Sequence, residues 1–424
     1  MKDNRWGGKG GVPTLDPWGI ARPFRWTRNL SSTWLWLIGP ALILPALLIT
    51  MAEGTLGQRS DFQLWQDIQR VLGVGAAPSP PEFPLARDVL SWFLIVIVVA
   101  TFVLVHRQWQ YIARSLPNMA ASGIIRPVER LPSSSRSRRL LLHRILGECD
   151  PESALIVLAN WVNRFFTKAS RWVSWTFALL AAAFTVLLFI GGRSTGVFRF
   201  MMPEGLDHIA QQEWLKAAYS SWWASSAHPF GESCFFLMAF LAIYVILLQN
   251  LVGIIIAYGA VALPEVVIMD ADWLNRDGYF GWMPVVRIYR TVYLSLALHG
   301  LALSVLLIVL SVRGFPWMLG LVGLWVIVLP IYLLGPWAIF ISVEKNIKKK
   351  RVEHITELMD EQNVDPEKDL ERLPAYLTEI QRVREARIRP IRVPRYQIPP
   401  FAVVVLLPIF LTIAQIIFSR GPGQ

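Results

Sequence analysis

The thirty residues from Cys234 to Leu263, CFFLMAFLAIYVILLQNLVGIIIAYGAVAL, contain no charged side chain and only two amides, Gln249 and Asn250. A helix needs about 20 apolar residues to cross a hydrocarbon core about 30 Å thick, and this run exceeds that. A helix that is apolar all round is immersed either in a large core or in lipid. The rest of the chain selects lipid. Hydrophobic residues make up 54% and charged residues 17% of the 424 positions, whereas soluble domains are about a quarter charged. Continuous apolar blocks also exclude a transmembrane barrel, whose strands alternate.

Working outward, five more blocks predict crossings at Trp34 to Met51, Val89 to Val105, Trp172 to Gly191, Thr291 to Val312 and Met318 to Ile341. With Cys234 to Leu263 they make six. Phe401 to Phe418 is long enough for a seventh, although Pro399, Pro400 and Pro408 also suit a half-buried helix. Basic residues fix the expected orientation, because Lys and Arg near span ends stay in the cytoplasm. They crowd the N-terminal segment (Lys2, Arg5, Lys9, Arg22, Arg25, Arg28), the connection after the second span (Arg107 to Arg144) and the exit from the sixth. All three fall on one side, which places the N-terminus in the cytosol. The net charge of +11 is thereby explained by topology, and nucleic acid is not an expected partner. Tryptophans at or near span ends, among them Trp34, Trp36, Trp172, Trp175 and Trp282, suit the bilayer interface.

The fold class expected is all-α, a polytopic transmembrane helical bundle of six or seven spans with a small cytosolic helical hairpin. Its parts are a basic N-terminal tail (1–33), the first two spans (34–109), a cytosolic linker with juxtamembrane helices (110–171) and a four-span core (172–342) with an outer loop (193–232). The hairpin with a proline-rich return (343–398) and the last apolar segment (399–424) follow. Apolar positions from Leu141 to Phe165, broken by Asp150 and Pro151, suggest two short surface helices over Leu140 to Lys168 after the linker LPSSSRSRR. Val352, Ile355 and Met359, then Leu373, Leu377 and Ile380, keep helical spacing on either side of a turn at Asp365 and Pro366. The outer stretch SSWWASSAHPF (Ser220 to Phe230) suggests an aromatic segment near the outer headgroups.

Few residues carry chemistry. The glycine-rich WGGKGGVP lacks the Gly-Lys-Ser/Thr ending of a phosphate loop and reads as a flexible tail. Glu265, Asp270, Asp272 and Asp277 cluster after the fourth span and are weak candidates for a divalent metal, their spacing fitting no calcium loop. Cys149 and Cys234 fall on opposite sides and read as free thiols. Inside the spans, Gln249, Asn250 and His299 stand out, since polar groups there line pathways or join helices. No span carries a central charge, which argues against an energised pump. Gly253, Ala257 and Ala260 suit close helix packing, and Pro40, Pro45, Pro330 and Pro336 kink their spans. Lys345, Lys348, Lys349, Lys350 and Arg351 lie within reach of anionic headgroups, each worth about 1 kcal/mol there.

From about Asn275 onward the chain resembles a type of multi-pass bacterial membrane protein. The resemblance is carried by NRDGYFGWMPVVRIYR (Asn275 to Arg290), LERLPAYLTEIQRV (Leu370 to Val383) and IPPF (Ile398 to Phe401). It implies a bacterial inner membrane and no catalytic residues. The leading expectation is a non-enzymatic pore, channel or passive transport unit biased by its hairpin. The alternative is a scaffold or signalling subunit docking a cytosolic protein through Val352, Ile355, Met359, Leu373, Leu377 and Ile380. Third is an enzyme using the Glu265 to Asp277 cluster. Expected partners are the bilayer, a cytosolic protein and further copies of the chain; no cofactor is implied.

Overall fold

The apolar blocks fold as helices, which pair each interior backbone N–H with a carbonyl of the same segment. The computed structural model describes residues 11–57, 82–128, 142–147, 149–195, 198, 201–203, 205–310, 318–362, 373–386, 388 and 398–418. The helices are α1 (Ile38–Ala52), α2 (Val89–Ala121), α3 (Leu142–Leu146), α4 (Ala154–Thr195), α5 (His208–Ser220), α6 (Pro229–Val266), α7 (Met283–Leu310), α8 (Met318–Glu361), α9 (Leu373–Glu385) and α10 (Ile398–Phe418). Two short strands, β1 (Ile125–Pro127) and β2 (Val267–Met269), pair antiparallel. The fold is thus an all-α bundle with one small ladder. Among the described residues, five helices are long and apolar enough to cross a membrane: Trp34–Ala52, Val89–Ala121, Pro151–Gly191, Pro229–Val266 and Met283–Val309. Within the described residues, the apolar parts of α8 (Met318–Leu333) and α10 (Ala402–Ile416) are shorter.

Several details differ from the sequence reading. Instead of two short helices over Leu140 to Lys168, there is one, α3, and the remainder is the first part of α4. No Gly or Pro separates Ala154 from Trp172, so nothing stops the helix before it enters the apolar run. The helix of α10 starts at Ile398, with Pro399 and Pro400 in its first turn, where a missing N–H costs nothing. The turn at Asp365 and Pro366, the linker LPSSSRSRR and the first ten residues lie outside the described residues.

α2 is the central helix, packed against both α6 and α7, while α4 runs along α6 and α10 along α7. Residues 11–33, assigned from sequence to a basic tail, are packed onto this bundle. Trp18 is buried, edge-on to His106 at 5.6 Å and to Trp109 at 5.7 Å. Asn163 of α4 holds the segment, accepting from Asp16 N at 2.8 Å and donating to Thr14 O at 2.9 Å. This side of the molecule is called the N-terminal face below.

The same face carries the ladder and the hairpin. Arg126 of β1 pairs with Asp270, just beyond β2, at 3.0 Å. Asp277 then caps the start of α7, accepting from Tyr279 N, Gly281 N and Met283 N. Asn275 and Phe280 take left-handed conformations between these caps (φ 51 and 54°). α8 and α9 are antiparallel, as three ties show: Tyr376 to Gln362 (2.7 Å), Arg351 to Glu379 (4.0 Å) and Lys348 to the Arg384 carbonyl (3.0 Å). Arg351 also stacks over Trp273, 5.9 Å from its centroid, which joins the hairpin to the Asp270–Asp277 connection.

At the opposite, far face, the two tryptophans of SSWWASSAHPF point inward. Trp222 and Trp223 are buried, and both indoles donate to Asp88 Oδ2, at 2.6 and 2.8 Å. Asp88 is also the N-cap of α2, accepting from Leu90 N and Ser91 N. Glu53, at the end of α1, accepts from Phe230 N and Gly231 N in the first turn of α6, where the helix dipole favours an anion. Gly231 is required there, since a Cβ would collide with the Trp223 carbonyl oxygen. Burial wins over the headgroup setting because each indole N–H has a carboxylate to meet.

Candidate functional site: a polar layer between two cavities

Two apolar cavities lie among the same helices. The one nearer the N-terminal face, about 380 Å³, is lined by α2 (Gln108 to Met119), α4, α6 (Gly253 to Leu263), Trp282 just before α7, α7 itself (Val285 to Val292) and α8 (Ile331, Tyr332, Val343). The other, about 190 Å³, is lined by α2 (Leu90 to Ile97), α4, α6 (Phe235 to Ile246), α7 (Ala302 to Val309) and residues around α5. The first reaches the size of small-molecule sites. Gly253, Ala257 and Ala260, which the sequence assigns to helix contact, line the first cavity instead. A Cβ at Gly253 would lie 2.9 Å from the Tyr332 hydroxyl, so α6 and α8 do approach closely there.

Between the cavities α2, α6 and α7 each contribute a short intervening stretch, and these stretches hold several polar groups. On α2 the interval from Ile97 to Gln108 contains Thr101; on α6 that from Ile246 to Gly253 contains Gln249 and Asn250; on α7 that from Val292 to Ala302 contains Ser295 and His299. Gln249 donates to Gln108 Oε1 at 2.7 Å, joining α6 to α2. Asn250 donates to the Ile246 carbonyl and accepts from Tyr332 Oη at 2.8 Å, joining α6 to α8. The remaining groups of the layer have no such partners. Thr101 Oγ1, Gln249 Oε1, Ser295 Oγ and His299 Nε2 are all buried and meet no hydrogen-bond partner among the described residues.

The hydroxyls make the point sharply. Helical Ser and Thr ordinarily bond the carbonyl one turn back, and Thr50, Ser115, Thr185, Thr291, Ser304 and Thr412 all do so here. Thr101 and Ser295 do not, although they are only 1% and 3% exposed. An unpaired buried polar atom costs about 1–3 kcal/mol, and four in one layer call for a ligand or a functional reason.

Chemically the layer offers hydroxyls, an amide oxygen and an imidazole nitrogen, with no carboxylate or ammonium among the residues named. It can exchange hydrogen bonds with a neutral group. It holds no paired nucleophile and base. His106, in the same stretch of α2, belongs to another surface, with Nε2 2.9 Å from the Leu30 carbonyl.

Of the sequence candidates, Gln249, Asn250 and His299 all fall in the stretches between the wall residues of the two cavities. The basic residues are in part committed: Lys348 pairs with Glu344 at 2.8 Å and Lys349 with Glu353 at 3.7 Å, while Lys345 and Lys350 are exposed. In the hairpin, Ile355 is buried, Val352, Met359, Leu373 and Ile380 are half-buried, and Leu377 is exposed. The acidic residues Asp270, Asp272 and Asp277 are turned to Arg126 and to backbone N–H groups, and Glu265 ends α6 half-buried. No three His, Cys, Asp or Glu residues converge among the described residues. Both cysteines are free, and burial pushes the Cys149 thiol up.

Sequence reasoning missed Thr101, Gln108 and Ser295. Gln108 lies beyond the expected end of the second span at Val105. A usable signal was present: Thr101 and Gln108 share a stripe two turns apart, as Ser295 and His299 do one turn apart. No family model, curated protein or solved structure matches the chain.

Proposed function

We propose that the protein is a non-enzymatic passive transport unit of a bacterial inner membrane, with six or seven crossings and its N-terminal face in the cytosol. The observation that carries this reading is the pair of cavities stacked between α2, α4, α6 and α7, one toward each face, with an under-paired polar layer between them. Two seats on either side of a constriction are what a solute crossing the bundle needs. The constriction holds no charge to stabilise an ion, so neutral solutes are the cargo. The unbroken α8 carries Tyr332, beside the layer, and the hairpin on one helix. Movement of the hairpin therefore bears on the Tyr332–Asn250 contact. The exposed Lys345, Lys349 and Lys350 sit where anionic headgroups would hold the cytosolic end.

Docking of a cytosolic protein on the hairpin is the weaker reading, because Ile355 of α8 and Val383 of α9 are already buried and Leu377 alone of the hairpin's candidate contacts is exposed. Purified protein in liposomes, followed by osmotic swelling in a panel of neutral solutes, tests the proposal. Faster swelling than protein-free vesicles, without ion conductance, is the expected result. Vesicles indistinguishable from the protein-free control in every solute would sink it.

A further inference from the structure

The larger cavity is covered toward the N-terminal face and bare toward the outside of the bundle. Leu15 of the docked N-terminal segment and Trp282, before α7, line it on the first side, and both are buried. Ile254 of α6 and Ile331 of α8 line the same cavity, yet each is 63% exposed. They are the chain neighbours of Gly253 and Tyr332, where α6 and α8 approach closely. The uncovered rim therefore lies where these two helices meet. Ala257, one turn along α6 from Ile254, also lines the cavity and is exposed. Ile254 and Ile331 both stand in apolar helical stretches, Pro229–Val266 and Met318–Leu333. In the membrane setting proposed above, the medium at this rim is hydrocarbon.

The walls define what can enter from there. Among the described residues none that lines the cavity carries a charge. Three polar side chains of the wall are already paired: Gln108 Oε1 accepts from Gln249, Ser115 Oγ donates to the Ile112 carbonyl and Tyr332 Oη donates to Asn250. A polar ligand would give up its hydration with little return, whereas a hydrocarbon chain has none to lose. Along α6 the wall runs from Gly253 to Leu263, a rise of about 15 Å at about 1.5 Å per residue. That is half of a hydrocarbon core about 30 Å thick, the depth one acyl chain fills in its leaflet. Gly259 keeps the wall thin, since a Cβ there would meet nothing within 4 Å. We infer that this cavity is a binding site for one acyl chain, which enters from the bilayer between α6 and α8. The inference goes beyond the transport reading and does not depend on solute flux.

The full-length protein in lipid nanodiscs is photolabelled with palmitate carrying a diazirine in its chain and, separately, with phosphatidylglycerol carrying the same chain. The adducts are mapped by mass spectrometry. Ile112, Leu158 and Val162 decide the result, because they line the cavity and are only 1–4% exposed. Leu179, on the same helix as Leu158 and Val162 but 70% exposed, reports ordinary lipid contact. Adducts are expected at the three buried wall residues as well as at Leu179. Gly259→Leu, which fills the cavity, should lower the wall adducts about tenfold and leave those at Leu179 unchanged. Wild-type adducts confined to exposed residues overturn the site, and so do wall adducts that survive the filling in a variant with an unaltered thermal midpoint. Wall adducts from phosphatidylglycerol identify a bilayer lipid as the source of the chain, and wall adducts from palmitate alone identify a free fatty acid; both support the site. Swelling flux without wall adducts would leave transport standing and remove this site; wall adducts without flux would keep the site and remove transport.

Discussion

Asp88 and Gln249 are both buried in the bundle, yet the carboxylate meets five donors while the amide oxygen meets none. The donors of Asp88 come from its own helix and from the loop before α6, so the far face is closed by a fully satisfied cluster. The layer between the cavities has polar groups from three helices and leaves four atoms unpaired. The first arrangement suits permanence, because removing any member strands the others. The second lowers stability as it stands, since each unpaired atom keeps its desolvation cost.

Mutation separates the two regions by sign as well as size. Asp88→Ala should have the largest effect, a loss of about 3–4 kcal/mol, since it strands the Trp222 indole and the first N–H groups of α2 and leaves Trp223 only the Ser91 hydroxyl. A fall in the thermal midpoint of the detergent-solubilised protein measures it, and an unchanged midpoint would mean that the clamp contributes nothing. Gly231→Ala should follow at about 1–3 kcal/mol, because the new methyl group must displace the Trp223 carbonyl. The same melting curve reads it. Thr101→Val and Ser295→Ala should change stability least, between zero and about 1 kcal/mol in the stabilising direction, each removing an unpaired hydroxyl. If they destabilise as strongly as Gly231→Ala, the layer is a structural joint and the contrast disappears.

Much of the bundle could be read before folding. Apolar length located α1, α2, α6 and α7 within a few residues or a few turns, and the spacing of Val352, Ile355, Leu373 and Ile380 announced the hairpin. What escaped had identifiable causes. The continuity of α4 from Ala154 into its apolar run was hidden because a change from polar to apolar composition resembles a boundary, although only Gly or Pro would have made one. The inward turn of Trp222 and Trp223 depends on a carboxylate more than 130 residues away, which no local pattern reveals. Gln249, Asn250 and His299 were legible because amides and imidazole are conspicuous in apolar runs. Thr101 and Ser295 were not, since most helical hydroxyls satisfy themselves, and only coordinates distinguish the two that do not.

The stitching of the far face also sets an order of events during synthesis. The indoles that Asp88 grips are made 134 and 135 residues after it, and the amides that Glu53 grips 177 and 178 residues after it. At about 5–20 residues per second, these carboxylates wait roughly 7–36 s for the distant donors. Throughout that interval Asp88 has only the donors of its own helix and Glu53 lacks its two, so the ends of α1 and α2 reach their final pairing only after the start of α6 has been made.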